Sequence, residues 1–195
     1  MVSLKMSSAP WGLEMPMEIE VSERELANRW HTIQRMLRPI SPIHTGPACD
    51  REITTSYVIW GVHDGARARR GYREWRFSTR VHGYVANYFE YWVRLNRNRW
   101  YLHRAYLTIF AIDQVEGETE YLCLHCDPNE PPGTSHAAYK QGPHLHIKKA
   151  NHPIPHAHLA LNKGHLENVL ESVSSLTKAM EDGITMIRTQ VLDQM

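Results

Sequence analysis

Cysteine is scarce: the chain has three in 195 residues, at Cys49, Cys123 and Cys126. An odd number without a secretory context excludes a disulfide-stapled scaffold and points to free thiols in a reducing compartment. Long hydrophobic runs are missing as well. The first twenty residues carry one lysine and no apolar core of signal-peptide length, being broken by Pro10, Gly12 and Pro16, and no stretch is apolar enough to span a bilayer. We therefore expect a cytoplasmic protein with no membrane attachment. Charge of one sign is lacking too, since 22 basic and 21 acidic residues leave a net +1. Composition as a whole marks neither nucleic acid nor membrane as a partner.

Three motif-level absences narrow the chemistry. Cys123-x2-Cys126 has no second C-x2-C to complete a structural zinc site, and a strand would send the two thiols to opposite faces. His144-x-His146 is followed by Lys148 and Lys149 where a cupin-like metal site wants a carboxylate. A HUH-type nickase needs a nucleophilic tyrosine, and the chain has none from Leu166 onward.

What is present suffices for one sizeable core, read as an extended arm over 1–21 and a single domain over 22–195. Ser22 and Glu25 have capping-box spacing, and Leu26, Trp30, Ile33 and Leu37 recur at helical intervals before Pro39, which predicts a helix over 23–38. Ile53, Tyr57 and Trp60 tilt residues 50–65 toward helix against β-branched residues that fit a strand, and Tyr84, Tyr88, Trp92 and Leu95 suggest another helix over 81–100, whose aromatic content also suits a strand. From Trp100 the text turns to sheet. "WYLHRAYLTIFAID", "YLCLHC", "PHLHIKKA" and "IPHAHLAL", separated by turn-rich segments, predict a four-stranded antiparallel meander over 100–161. Val169, Leu170, Val173, Leu176, Met180, Ile184, Ile187 and Val191 predict a closing amphipathic helix over 165–193, interrupted at Gly183. The expected fold class is α+β: this meander with N-terminal helices and a long C-terminal helix.

Eight of the thirteen histidines lie between His125 and His165. Alternation along a strand puts His144 with His146, and His156 with His158, on shared faces. Gathered imidazoles repel one another when protonated, so a fold gains little from collecting them unless they bind or catalyse. Catalytic candidates are His144, His146, His125, His156 and His158, supported by Asp127 and Lys140. Two chemistries compete. Without any cofactor, one imidazole takes the proton of a ribose 2′-hydroxyl while another protonates the leaving oxygen, and Lys140, Lys148, Lys149 or Tyr139 steadies the phosphate. Alternatively His144, His146, His156 and His158 ligate a divalent transition metal such as zinc or manganese, with an aspartate such as Asp127 completing the shell.

Residues 66–104 hold ten arginines against Glu74 and Glu90, a local +8. Arg67, Arg69, Arg70, Arg73, Arg76, Arg80, Arg97 and Arg99, interleaved with Trp75 and Trp100, have the composition of a groove for RNA or single-stranded DNA. A solvated face over core aromatics, or a site for an acidic protein partner, has the same composition.

The second half resembles TumE-type toxins of bacterial toxin-antitoxin systems over roughly residues 98–180. The matching places are the aromatic strand "WYLHRAYLTIF", Asp127 and Asn129, the loop "PPGTSHAAYKQG", His144 with His146, the Pro-led "IPHAHLAL" and the helix from Leu166. Pro128 between Asp127 and Asn129 and the second pair His156/His158 depart from that pattern. The resemblance implies a small toxin held silent by a protein partner, an antitoxin. The leading expectation is a His-dependent endoribonuclease of a toxin or defence system. A metal-dependent hydrolase using the same histidines is one alternative, and a non-catalytic subunit that binds nucleic acid or protein is the other.

Overall fold

Two long strands, β5 (Tyr84–Asn96) and β6 (Arg99–Asp113), form the spine of a large antiparallel sheet. The structure is a computed structural model, described over residues 19–42, 47–65, 71–130, 140–148, 156–161 and 169–195. Among the described residues the sheet has nine strands. These are β1 (Glu20–Ser22), β2 (Ala48–Ile53), β3 (Tyr57–His63), β4 (Phe77–Ser78), β5, β6, β7 (Gly117–Cys126), β8 (His144–Lys148) and β9 (His156–Ala160). The main path runs β2-β3-β5-β6-β7-β8-β9. Each spine strand shares its outer edge between two neighbours: β3 and β4 flank β5, while β1 and β7 flank β6.

This architecture overturns the expected four-stranded meander with N-terminal helices. The stretch 50–65 is a hairpin of β2 and β3 rather than a helix, and residues 84–96 are a spine strand. The physical reason lies in the spacing. Tyr84, Tyr88 and Trp92 are four apart, an interval that repeats on one face of a helix and equally on one face of a strand. Pairing with β3 and β6 satisfies the backbone on both edges and so decides for sheet.

The span 23–38 forms two short helices, α1 (Glu23–Ala27) and α2 (Arg29–Leu37), broken at Asn28. Ser22 and Glu25 make the reciprocal capping box. The closing helix α3 runs Val173–Gln190 from an N-cap at Ser172, and Gly183 does not interrupt it. A Cβ there would sit 2.9 Å from a Leu124 methyl, so the glycine allows helix and sheet to approach closely. Of the predicted arm, Ile19 is buried and Glu20–Ser22 pair with β6; residues 1–18 lie outside the described residues.

Register divides the sheet into two faces. Tyr88, Leu107, Leu124, Leu145 and Leu159 stand side by side across five strands, and the first four are buried. These four share one hydrophobic core with Ile33, Met36 and Leu37 of α2 and Leu176, Met180, Ile184 and Ile187 of α3. The neighbouring row reads Gly61, Phe89, Tyr106, His125, His144 and Ala160. One residue along a strand reverses the face, so this second row turns away from the helices.

Under the helices, Arg29 donates to both carboxylate oxygens of Glu90, at 2.8 and 2.7 Å, and to Thr177 of α3 at 2.7 Å. The Tyr88 hydroxyl and the Trp92 indole also donate to Glu90. No described helix is long and apolar enough to cross a membrane.

Candidate functional site

On the face away from the helices lies a cleft of about 510 Å³ lined by His103, Arg104, Tyr106, His125, Asp127, Asn129, Glu130, Lys140 and His144. Strands β6, β7 and β8 supply its floor. A β-bulge helps to build it: Tyr91 pairs with Arg104 and Trp92 with Leu102, so His103 is the extra residue. That bulge lets two consecutive side chains, His103 and Arg104, reach the same cleft. Alternation alone could not have shown this, and both residues were missed in the sequence.

His125 stacks flat on Tyr106, with ring centroids 3.9 Å apart at 4°. The ring of His144 stands across from His125 at 5.4 Å and 74°. Asp127, just past the end of β7, accepts a 2.6 Å bond from the Tyr106 hydroxyl and lies 3.9 Å from Nδ1 of His125. Two bonds fix its loop. The Asp127 amide donates to the Lys140 carbonyl, and the Asn129 side chain donates to the Leu102 carbonyl.

Protonation follows from burial and hydrogen bonding. His144 is 1% exposed, and its Nδ1 lies 3.0 Å from the Gly142 carbonyl. A carbonyl can only accept, so Nδ1 carries the hydrogen and Nε2 keeps the lone pair in the neutral ring. Burial favours that neutral ring, holding the pKa below the ordinary histidine value against the Gly142 bond. Burial likewise pushes Asp127 up to about 6, with Tyr106 and Arg104 pulling the other way. Tyr106 is raised, first by burial and then by Asp127, so its hydroxyl stays protonated and donates. The thiols of Cys123 and Cys126 are pushed far above their usual range by burial, which keeps them from acting as nucleophiles.

Of the residues singled out in the sequence, His125, His144, Asp127 and Lys140 converge on the cleft. His146 approaches His125 at 5.2 Å but belongs to the next row, opposite Cys123, with Nδ1 3.8 Å from Glu120. His158 holds the register position opposite His146, and His156 that opposite Lys148. Lys149 and Tyr139 lie outside the described residues.

Among the described residues, the arginines of this segment are not gathered into one groove. Arg76 lies over the Phe110 ring and pairs with Glu118, Arg80 lies 3.8 Å from Asp193, and Arg99 pairs with Glu20. Arg73 lies over Tyr72, and Arg97 is exposed at the tip of the β5–β6 hairpin. Trp75 and Trp100, proposed to stack on bases, are 4% and 1% exposed. Trp75 packs over Gly61 and Trp100 beneath Arg94, so neither ring has a face for a base. Arg67, Arg69 and Arg70 lie outside the described residues. The arginine that reaches the cleft is Arg104.

Chemically, the cleft can do two things. Ligand atoms of His125, Asp127 and His144 all lie within 4.8 Å of one another, a two-histidine, one-carboxylate set that suits a divalent transition metal. The same two imidazoles, with Arg104 and Lys140 beside them, also complement a phosphodiester. The chain matches no protein-family model, no curated protein and no solved structure, so the chemistry of the cleft carries the functional argument.

Proposed function

We propose that the chain is a His-dependent endoribonuclease whose acid and base are His125 and His144. The observation that carries this reading is the facing pair of rings 5.4 Å apart in a cleft that also holds Arg104 and Lys140. His144, held neutral by burial, removes the proton of a ribose 2′-hydroxyl through Nε2. The 2′-oxygen attacks phosphorus and forms a 2′,3′-cyclic phosphate. His125, protonated beside the Asp127 carboxylate, delivers its proton to the departing 5′-oxygen. Arg104 and Lys140 oppose the charge that gathers on the phosphoryl oxygens. Tyr106 serves as a positioning residue, stacking on His125 and bonding Asp127.

The test is cleavage of a defined single-stranded RNA by purified protein, with products resolved by mass. A cyclic phosphate that forms in the presence of EDTA supports acid–base chemistry. The clustering of His125, Asp127 and His144 favours one second reading, a hydrolase that uses a metal held by those three side chains. Activity lost in EDTA and restored by zinc or manganese selects it. Binding of RNA without cleavage under either condition leaves a binding subunit. A toxin or defence role, with an antitoxin as partner, rests on the resemblance of residues 98–180. Growth arrest on induced expression, relieved by His144→Ala, tests that role.

A further inference from the structure

Two groups of rings, bridged by one guanidinium, lead from the outer part of the sheet to the cleft. Tyr57 of β3 stacks on Tyr91 of β5 with centroids 5.2 Å apart, and Tyr91 meets His103 edge-on at 5.4 Å. The Arg104 guanidinium lies over both Tyr91 and Tyr106, at 5.9 and 5.8 Å from their centroids. Tyr106 then stacks on His125. All of these side chains are partly exposed. Packing against the helices does not explain them, because they stand on the opposite face.

We propose that Tyr57 and Tyr91, with Arg104 beside them, form a base-stacking platform that feeds single-stranded RNA into the His125–His144 cleft. The assignment rests on the phosphodiester reading of that cleft, with which the row is continuous. Three features point to RNA as the occupant. The rings stand on successive strands and step along them, Tyr57 lying opposite Val93 and Tyr106 opposite Phe89, so the path crosses three strand spacings of about 4.8 Å on a diagonal. Sheets that recognise single-stranded RNA stack two or three bases on platforms of this kind. Arg104 places a cation between the rings, where it can meet a phosphate or stack on a base. Tyrosine rings accept any base by stacking, so the platform confers affinity and direction of entry more than sequence preference.

The experiment measures binding, which separates it from the proposed chemistry. A short fluorescein-labelled oligouridine is titrated by anisotropy, in EDTA, into full-length protein carrying His144→Ala so that no cleavage intervenes. Adding Tyr57→Leu and Tyr91→Leu together is expected to weaken binding at least about tenfold, while Tyr57→Phe with Tyr91→Phe, which keep the rings, hold the affinity within about twofold. Photocrosslinking of the unsubstituted protein to a 4-thiouridine oligomer tests the same surface without any substitution in the row, with adducts expected at Tyr57 and Tyr91. Unchanged affinity in the folded leucine variant, adducts confined to other surfaces, or no oligouridine binding at all overturns the platform. Failure of the acid–base reading looks different: RNA binds through the platform and the unsubstituted protein leaves it intact.

Discussion

At the scale of single residues, His125 and His144 do different work because their surroundings differ. His144 is buried and bonded to a carbonyl, whereas His125 lies beside a carboxylate and under a tyrosine ring. Replacing either with alanine should lower kcat for RNA cleavage by about 10²- to 10⁴-fold, the usual range for an acid or base. His146→Ala should cost less than about tenfold, since its ring belongs to the next row; steady-state kinetics on the three variants checks this. Asp127 supplies a stability prediction of definite sign. Its folded pKa of about 6 exceeds the unfolded value, so the native state binds the proton more tightly. That contribution is full below pH ~4 and is lost as pH rises through 6, a change of up to about 3 kcal/mol. Asp127→Asn keeps an acceptor for Tyr106 and removes the buried charge. It should raise Tm at pH 7 and abolish this dependence between pH 4 and 6, read from urea midpoints. His144 works in the opposite sense, because its lowered pKa makes stability fall as pH drops below 6.5. The His144→Ala variant isolates that part.

At the scale of elements, one buried ion pair ties three of them together. Arg29 of α2, Glu90 of β5 and Thr177 of α3 form a single network that Tyr88 and Trp92 complete. Removing one partner strands a charge in the core, so Arg29→Ala should cost about 3–5 kcal/mol, read from the urea midpoint at unchanged m-value. Gly61 matters for another reason. A Cβ there would collide with Cε3 and Cζ3 of Trp75, a rigid ring that cannot yield as a flexible chain would. We expect Gly61→Ala to cost about 1–3 kcal/mol by overpacking and to loosen the segment from Tyr72 to Trp75, which Asn87 otherwise holds through two carbonyls. Hydrogen exchange at those amides would report it. The elements also show how far local pattern carries. The capping box of α1 and the apolar period of α3 were legible because helical contacts are local. The strands β2, β3 and β5 were not, because spacings of four fit both periods and only partners distant in sequence choose between them.

At the scale of the whole molecule, the described arginines of residues 66–104 are spread over several surroundings. Arg76 and Arg99 pair with carboxylates away from the cleft and Arg80 lies near one, whereas Arg104 lines the cleft, Lys140 lines it paired with Glu130 at 3.1 Å, and Arg73 lies on the same face through Tyr72. If these last three meet phosphates, the slope of log K against log salt for single-stranded RNA should be about −2, from roughly 0.7 per contact. A slope near −6 would instead mean that the arginine-rich segment binds as a block. Anisotropy titrations over a salt series distinguish the two.

Several things were legible in the order of residues alone. They include the antiparallel succession of the last four strands, the start of α1, the course of α3 and the shared face of His144 and His146, all consequences of local period and strand alternation. The tertiary structure decided which histidines form the cleft. Register set His144 opposite His125 and His146 opposite Cys123, and the bulge at His103 turned Arg104 inward. It also buried Trp75 and Trp100, which composition alone had marked for stacking, and assigned the exposed face to Tyr57, Tyr91 and Tyr106. The reason is physical. An aromatic ring has the same character whether it packs in a core or stacks on a ligand, and only strand pairing across the chain determines which face of the sheet it occupies.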